Sequence, residues 1–300
     1  MDNYLVLAKT IMAKSAVDSL KKKINHFTEF SINDRDGSNL VPLSAVCSEY
    51  GTLYIFTKSR SKNSQLVLCD SRINSGDPIF LDICGNEPLA LFGGHTYYAA
   101  ISSEGEVILI NSDSIKNYLN SRIPSFSLPD GEKATSVAFC NKLLIALSSS
   151  GRVFSSPIQS QSCVLNFSSV NELANYEIVC VAGKVNCCLA VSKEGLTFAF
   201  GSNSSGMLGL GKETSKVSTL TKISSLSGHE IRAAYTGWGQ SFFETREGKI
   251  FACGKRNENV YLPTETIIAG TKFSILGNRL GVVFFGGDPP PNTPNKRILI

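Results

Sequence analysis

A chain of 300 residues that is 42% hydrophobic has enough apolar material for one large domain or two ordinary ones, which excludes a disordered or fibrous polypeptide. A net charge of +4 is small for a protein that holds DNA through its phosphates, so composition gives no support for nucleic acid or chromatin as a partner. Nine cysteines, an odd number without a Cys-x-x-Cys pair, argue against a disulfide framework; most sit among apolar neighbours and read as reduced core thiols in a reducing compartment, cytoplasm or nucleus.

In chain order, residues 1–10 contain an orphan strand pattern at Tyr4–Leu7 and lack the layout of a secretory signal. Residues 15–24, SAVDSLKKKI, place Ala16, Val17, Leu20 and Ile24 on one helical face opposite Lys21, Lys22 and Lys23. They read as a short surface helix or a loop, with partner docking or a membrane surface as the sharper alternative. From residue 44 onward a different pattern recurs, in which two apolar runs flank a polar turn that ends in glycine.

These hairpins occupy residues 44–57, 98–110, 143–154, 189–200 and 241–253, with turn glycines Gly51, Gly105, Gly151, Gly195 and Gly248 spaced by 54, 46, 44 and 53 residues. Such a period is that of a propeller blade. Each hairpin after the first follows another short apolar segment, at Pro88–Phe92, Thr135–Phe139, Ile178–Ala182 and Ile231–Tyr235, which would be the first strand of its blade. Gln65–Cys69 and Val164–Phe167 are candidate outer strands or connections. Residues 272–285 look like half of a further blade with Gly286-Gly287 at its turn, and residues 288–295 form a stiff proline-rich segment.

The expected fold is therefore all-β: one propeller of four-stranded blades over residues 1–300, seven or six in number, closed by a composite blade from both termini. Closure leaves no sheet edge open. No run approaches the ~18 apolar residues of a membrane span.

One stretch is more specific than the rest. After the hairpin at 189–200 come Gly201, Asn203, Gly206, Leu208, Gly209 and Gly211, which give the backbone several positions free to take positive φ. This resembles the repeat signature of the regulator of chromosome condensation family, Gly-x-Asn-x-x-Gly-x-Leu-Gly-x-Gly, with Met207 where the family usually has glutamine. The resemblance implies a β-propeller that engages other proteins. In the family member that exchanges nucleotide on the GTPase Ran, histidines on turns at the channel rim contact the GTPase, and Gly93-Gly94-His95 falls at such a turn with its histidine one place early. Asn186 and Gln240 stand at equivalent points, so a single histidine is present where an exchange face has several.

The connection Asn111–Lys133 carries Tyr118 and Phe126 and is either an ordinary long link or a wedge of the kind that exchange factors use. Trp238, the only tryptophan, is either an exposed anchor or a ring packed on a neighbouring blade. Three histidines without a metal-ligand spacing, no Gly-x-Ser-x-Gly elbow and no Walker loop give no catalytic, cofactor or metal site. Two readings remain: a non-enzymatic, monomeric scaffold that binds another protein, or a guanine-nucleotide exchange factor for a small GTPase.

Overall fold

The computed structural model describes residues 32–33, 39–47, 51–58, 64–70, 79–83, 87–94, 96–111, 122–159, 164–184, 186–211, 214–237, 239–254, 266–269, 273–277, 282–287 and 298–299. Contacts divide the chain into two units, Met1–Ala134 with Gln159–Leu165, and Thr135–Ile158 with Asn166–Ile300. Among the described residues, six sheets built from strands in sequence order account for nearly all the regular structure.

In the first unit, β1 (Ile32–Asn33), β2 (Asn39–Cys47), β3 (Gly51–Lys58), β4 (Ser64–Asp70) and β5 (Ile79–Leu81) form one antiparallel sheet. β6 (Pro88–Gly93), β7 (Tyr97–Ser102), β8 (Val107–Asn111) and β9 (Ser125–Phe126) form the next. All five residues of β8, VILIN, are buried, which is why it reads as an unbroken apolar run rather than an alternating one. Leu66, Leu68, Ile79 and Leu81 pack with Tyr98, Ala100, Ile108 and Ile110. Each such side chain contributes roughly 1.5–3 kcal/mol on burial.

The second unit repeats the plan. β10 (Ala134–Cys140) enters it at Thr135 and is followed by β11 (Leu143–Ser148), β12 (Val153–Pro157) and β13 (Ser168–Ser169). β14 (Ile178–Lys184), β15 (Cys187–Ser192), β16 (Thr197–Ser202) and β17 (Lys216–Lys222) make a second sheet. β18 (Ile231–Thr236), β19 (Gln240–Thr245) and β20 (Ile250–Gly254) make a third. The last comprises β21 (Thr266–Ala269), β22 (Phe273–Gly277), β23 (Val282–Gly287) and β24 (Ile298–Leu299).

Successive sheets of this unit pack on one another. Ala138, Ile145, Leu147 and Val153 meet Val181, Cys188, Ala190 and Phe198. Leu189, Val191 and Ala199 in turn meet Ile231, Ala234 and Phe243. The hairpin turns are part of that packing: Gly195, at φ +83°, lies so close to the start of β18 that a Cβ would stand 2.9 Å from Glu230 Cα. Lys193 N–H donates to Glu177 O at 2.8 Å and Arg246 N–H to Glu230 O at 2.9 Å, tying each turn to the residue before its first strand.

The hairpins and first strands expected from the sequence are present. Of the two expectations for Val164–Phe167, outer strand or connection, the second holds: it leads into the short fourth strand β13. Gly286 and Gly287 do not form a turn but end β23, where they pair with Ser274 and Phe273. Among the described residues, the last sheet takes its four strands from residues 266–299; the N-terminal strand expected to join it lies outside the described residues. Residues 1–10, 15–24 and 288–295 lie outside the described residues.

Candidate functional site

The glycine-rich stretch after β16 is a structural knot. Asn203 is 2% exposed and acts as its centre. Its Oδ1 accepts from Leu208 N–H at 2.7 Å, while Nδ2 donates to Gly211 O at 2.9 Å and Thr214 O at 2.7 Å. Asparagine is suited to this place because one planar amide offers both an acceptor and two donors. Leu208, buried completely, then locks the loop into the core.

A second feature is a bulge in one strand of each of several sheets. The pairing register skips Leu43 in β2, Leu89 in β6, Val179 in β14 and Arg232 in β18. A bulge sets two residues against one and turns a side chain away from the ladder. The burial patterns show the result: Pro88, Ile178 and Ile231 are buried, whereas Leu89, Val179 and Arg232 beside them are exposed. Thr135 holds the same place in β10 and is also exposed, with its hydroxyl donating to Leu147 O at 3.2 Å. Leu89 is 63% exposed and Val179 44%, unusual for large aliphatics on rigid strands.

Within the second unit Val179 and Arg232 belong to strands that touch. Cys180 Sγ accepts from Ala234 N–H at 3.4 Å, so β14 and β18 are fastened one residue from Val179 and two from Arg232. Arg232 is in turn held from behind: its Nη2 donates to Glu244 Oε1, and Tyr235 Oη donates to Glu244 Oε2 at 3.2 Å. Glu244 is only 4% exposed, so the guanidinium neutralises a carboxylate that burial alone would disfavour. Burial, and then the Glu244 charge, push the Tyr235 hydroxyl up to about 12. The two touching strands thus carry an exposed apolar side chain, Val179, and a cation of fixed orientation, Arg232, side-chain types suited to a protein surface.

Cys140, Cys180, Cys187, Cys188 and Cys253 are free thiols. Burial pushes Cys140 up to about 11 and Cys253 up to about 12, and the thiol of Cys253 donates to Met207 O at 3.2 Å. These shifts carry a sign. Below pH 9 each group is protonated whether the chain is folded or not; above it the unfolded chain loses protons first, and stability falls until the folded value is passed. Urea midpoints are therefore expected to drop steadily between pH 9 and 12, through the range set by Cys140, Cys253 and Tyr235. A flat profile over that range would contradict burial of these groups.

The residues singled out in the sequence are placed unevenly. His95, Tyr118 and Trp238 lie outside the described residues. Asn186 is exposed in the turn between β14 and β15. Phe126 is half-buried in β9, opposite Val107. Gln240 needs correction as a contact residue, since it opens β19 at 1% exposure and belongs to the wall rather than to a reachable face. Leu89, Val179 and Arg232 were not singled out by motif, because the bulged position is filled by different residue types. Its spacing was the available signal: Leu43, Leu89 and Thr135 follow at equal intervals of 46 residues.

No protein-family model matches the sequence. Over 70 residues, 23% of this chain, it is 36% identical to the probable E3 ubiquitin-protein ligase HERC3 of Homo sapiens, of which that stretch is 7%. Over 96 residues, 32% of this chain, it is 34% identical to the probable E3 ubiquitin-protein ligase HERC4 of Rattus norvegicus, of which that stretch is 9%. The match thus spans less than a tenth of either relative's length. Among solved structures, human WBSCR16 superposes with a TM-score of 0.64 at 18% identity, over 82% of this chain and 76% of that one. Prp20p from Saccharomyces cerevisiae, described with its binding to Gsp1p and histones, superposes with a TM-score of 0.63 at 15% identity, over 85% and 73%. Yeast RCC1 (Prp20) bound to Kap60 gives 0.62 at 15% identity, over 85% and 71%. At such identities the likeness is one of fold.

Proposed function

Since the chain is an all-β propeller of the regulator of chromosome condensation type, we propose that it is a non-enzymatic scaffold for another protein, working as a single domain over residues 1–300 and as a monomer. The observation that supports this reading is that the touching strands β14 and β18 expose Val179 and an Arg232 braced by a buried carboxylate. Rigid sheets fix both side chains before a partner arrives, so little conformational entropy is lost when they are covered. The buried thiols favour a reducing compartment, cytoplasm or nucleus, and among the described residues no helix is long and apolar enough to cross a membrane.

Exchange on a small GTPase is the competing reading, drawn from the fold shared with a protein described as binding Gsp1p. An exchange factor must bind the nucleotide-free GTPase more tightly than the loaded one. The purified chain, mixed with Ran carrying a fluorescent nucleotide, is expected to leave the release rate unchanged. Acceleration by orders of magnitude, lost on His95→Ala, would overturn the scaffold reading in favour of exchange.

A further inference from the structure

The edge of the sheet β6–β9 carries an arrangement that neither fold nor partner binding accounts for. β9 is two residues long and pairs with β8 only through Val107 opposite Phe126 and Ile108 opposite Ser125. One carboxylate draws this strand in: Glu106 accepts from Ser125 Oγ at 2.8 Å through Oε2 and from Ser127 Oγ at 3.3 Å through Oε1. Pro124 and Pro129 bracket the serines and keep the segment extended. Arg122 stands three residues before Ser125, with a side chain 68% exposed and tied only at 3.3 Å to an equally exposed Asp82, a pairing that solvent makes weak.

We propose that Ser125 is a phosphorylation site for a serine kinase that reads a basic residue before its acceptor, and that phosphate there releases β9 from β8. In the transfer, the bond from Ser125 Oγ to the γ-phosphorus of a nucleoside triphosphate forms as the bond from that phosphorus to its bridging oxygen breaks. The diphosphate leaves, and the hydroxyl proton passes to the kinase base. A two-residue edge strand opens often enough to present its hydroxyl in the extended form that kinases accept. Once modified, Ser125 Oγ has no proton to donate to Glu106, and the phosphoryl group on it brings close to two negative charges against that carboxylate, so the bond that held the strand becomes a repulsion.

The test uses the full chain, a basic-directed serine kinase and ATP, with phosphate located by peptide mass spectrometry and strand pairing read by amide hydrogen exchange over residues 122–128. Phosphate at Ser125 with exchange about tenfold faster in that peptide is the expected result. Glu106→Gln keeps an oxygen for the hydroxyls but removes the like charge, so phosphorylation of this variant is expected to speed exchange much less. Labelling of a free peptide spanning residues 118–131 but not of the folded chain would overturn the proposal. So would full labelling with unchanged exchange, or equal opening in Glu106→Gln.

Discussion

Gly201→Ala is expected to destabilise the second unit by more than about 4 kcal/mol, beyond the usual range for a single methyl group. Two causes act together. Gly201 sits at φ +109°, a backbone conformation that side chains rarely adopt, and a Cβ built there would stand 1.9 Å from Asn186 O. That oxygen is backbone and also accepts from Ser202 N–H at 2.8 Å, so it cannot move aside without losing the bond that fixes the hairpin. Either the β15–β16 pairing around Cys187 and Gly201 separates or the strand that enters the glycine-rich knot shifts. Urea unfolding of the purified variant measures the effect, and a loss below about 1 kcal/mol would show that the close approach does not exist.

Asn203→Ala is the second large effect, expected at about 3–5 kcal/mol. The substitution removes three hydrogen bonds at once: it strands the buried N–H of Leu208 and takes their partner from the carbonyls of exposed Gly211 and half-buried Thr214. A buried polar group left without a partner costs roughly 1–3 kcal/mol, more than the net gain of making the bond. Ser204→Ala serves as the control: the neighbouring serine is exposed, and its loss is expected to stay within about 0.5 kcal/mol. Equal midpoints for the two variants would deny Asn203 its central place.

Both effects lie in the stretch that was most legible in the sequence, and for one reason. Close backbone approach and a buried amide admit few residue types, so Gly201 and Asn203 announce themselves. The hairpins were legible because strands such as Tyr97–Ser102 and Cys187–Ser192 are buried along nearly their whole length and read as apolar runs between turns. Outer strands were not. Lys216–Lys222 alternates exposed and half-buried positions, and its sequence KVSTLTK resembles a polar loop. Ser168–Ser169 is exposed and is held by backbone pairing with Phe154 and Ser155, which leaves no compositional trace. Gly286-Gly287 misled because paired glycines commonly mark turns, whereas here both are in ladder positions.

The candidate surface was hidden for a related reason. A bulge is a property of pairing register, so leucine, valine and arginine serve equally well at the bulged place. Gln240 was read as a rim residue from its neighbours in sequence, but as the first residue of β19, opposite Gly254, its side chain is enclosed.

The scaffold account is tested most directly at Val179. Full-length chain and Val179→Lys are compared as baits in a quantitative capture experiment, after thermal unfolding has shown that the exposed substitution leaves stability unchanged. An ammonium in place of the exposed Val179 side chain removes the apolar contact and adds a charge that must be desolvated on binding, so proteins held by the parent chain are expected to fall at least about tenfold in the variant. Retention of the same proteins at the same level would contradict the claim that β14 and β18 present the binding surface.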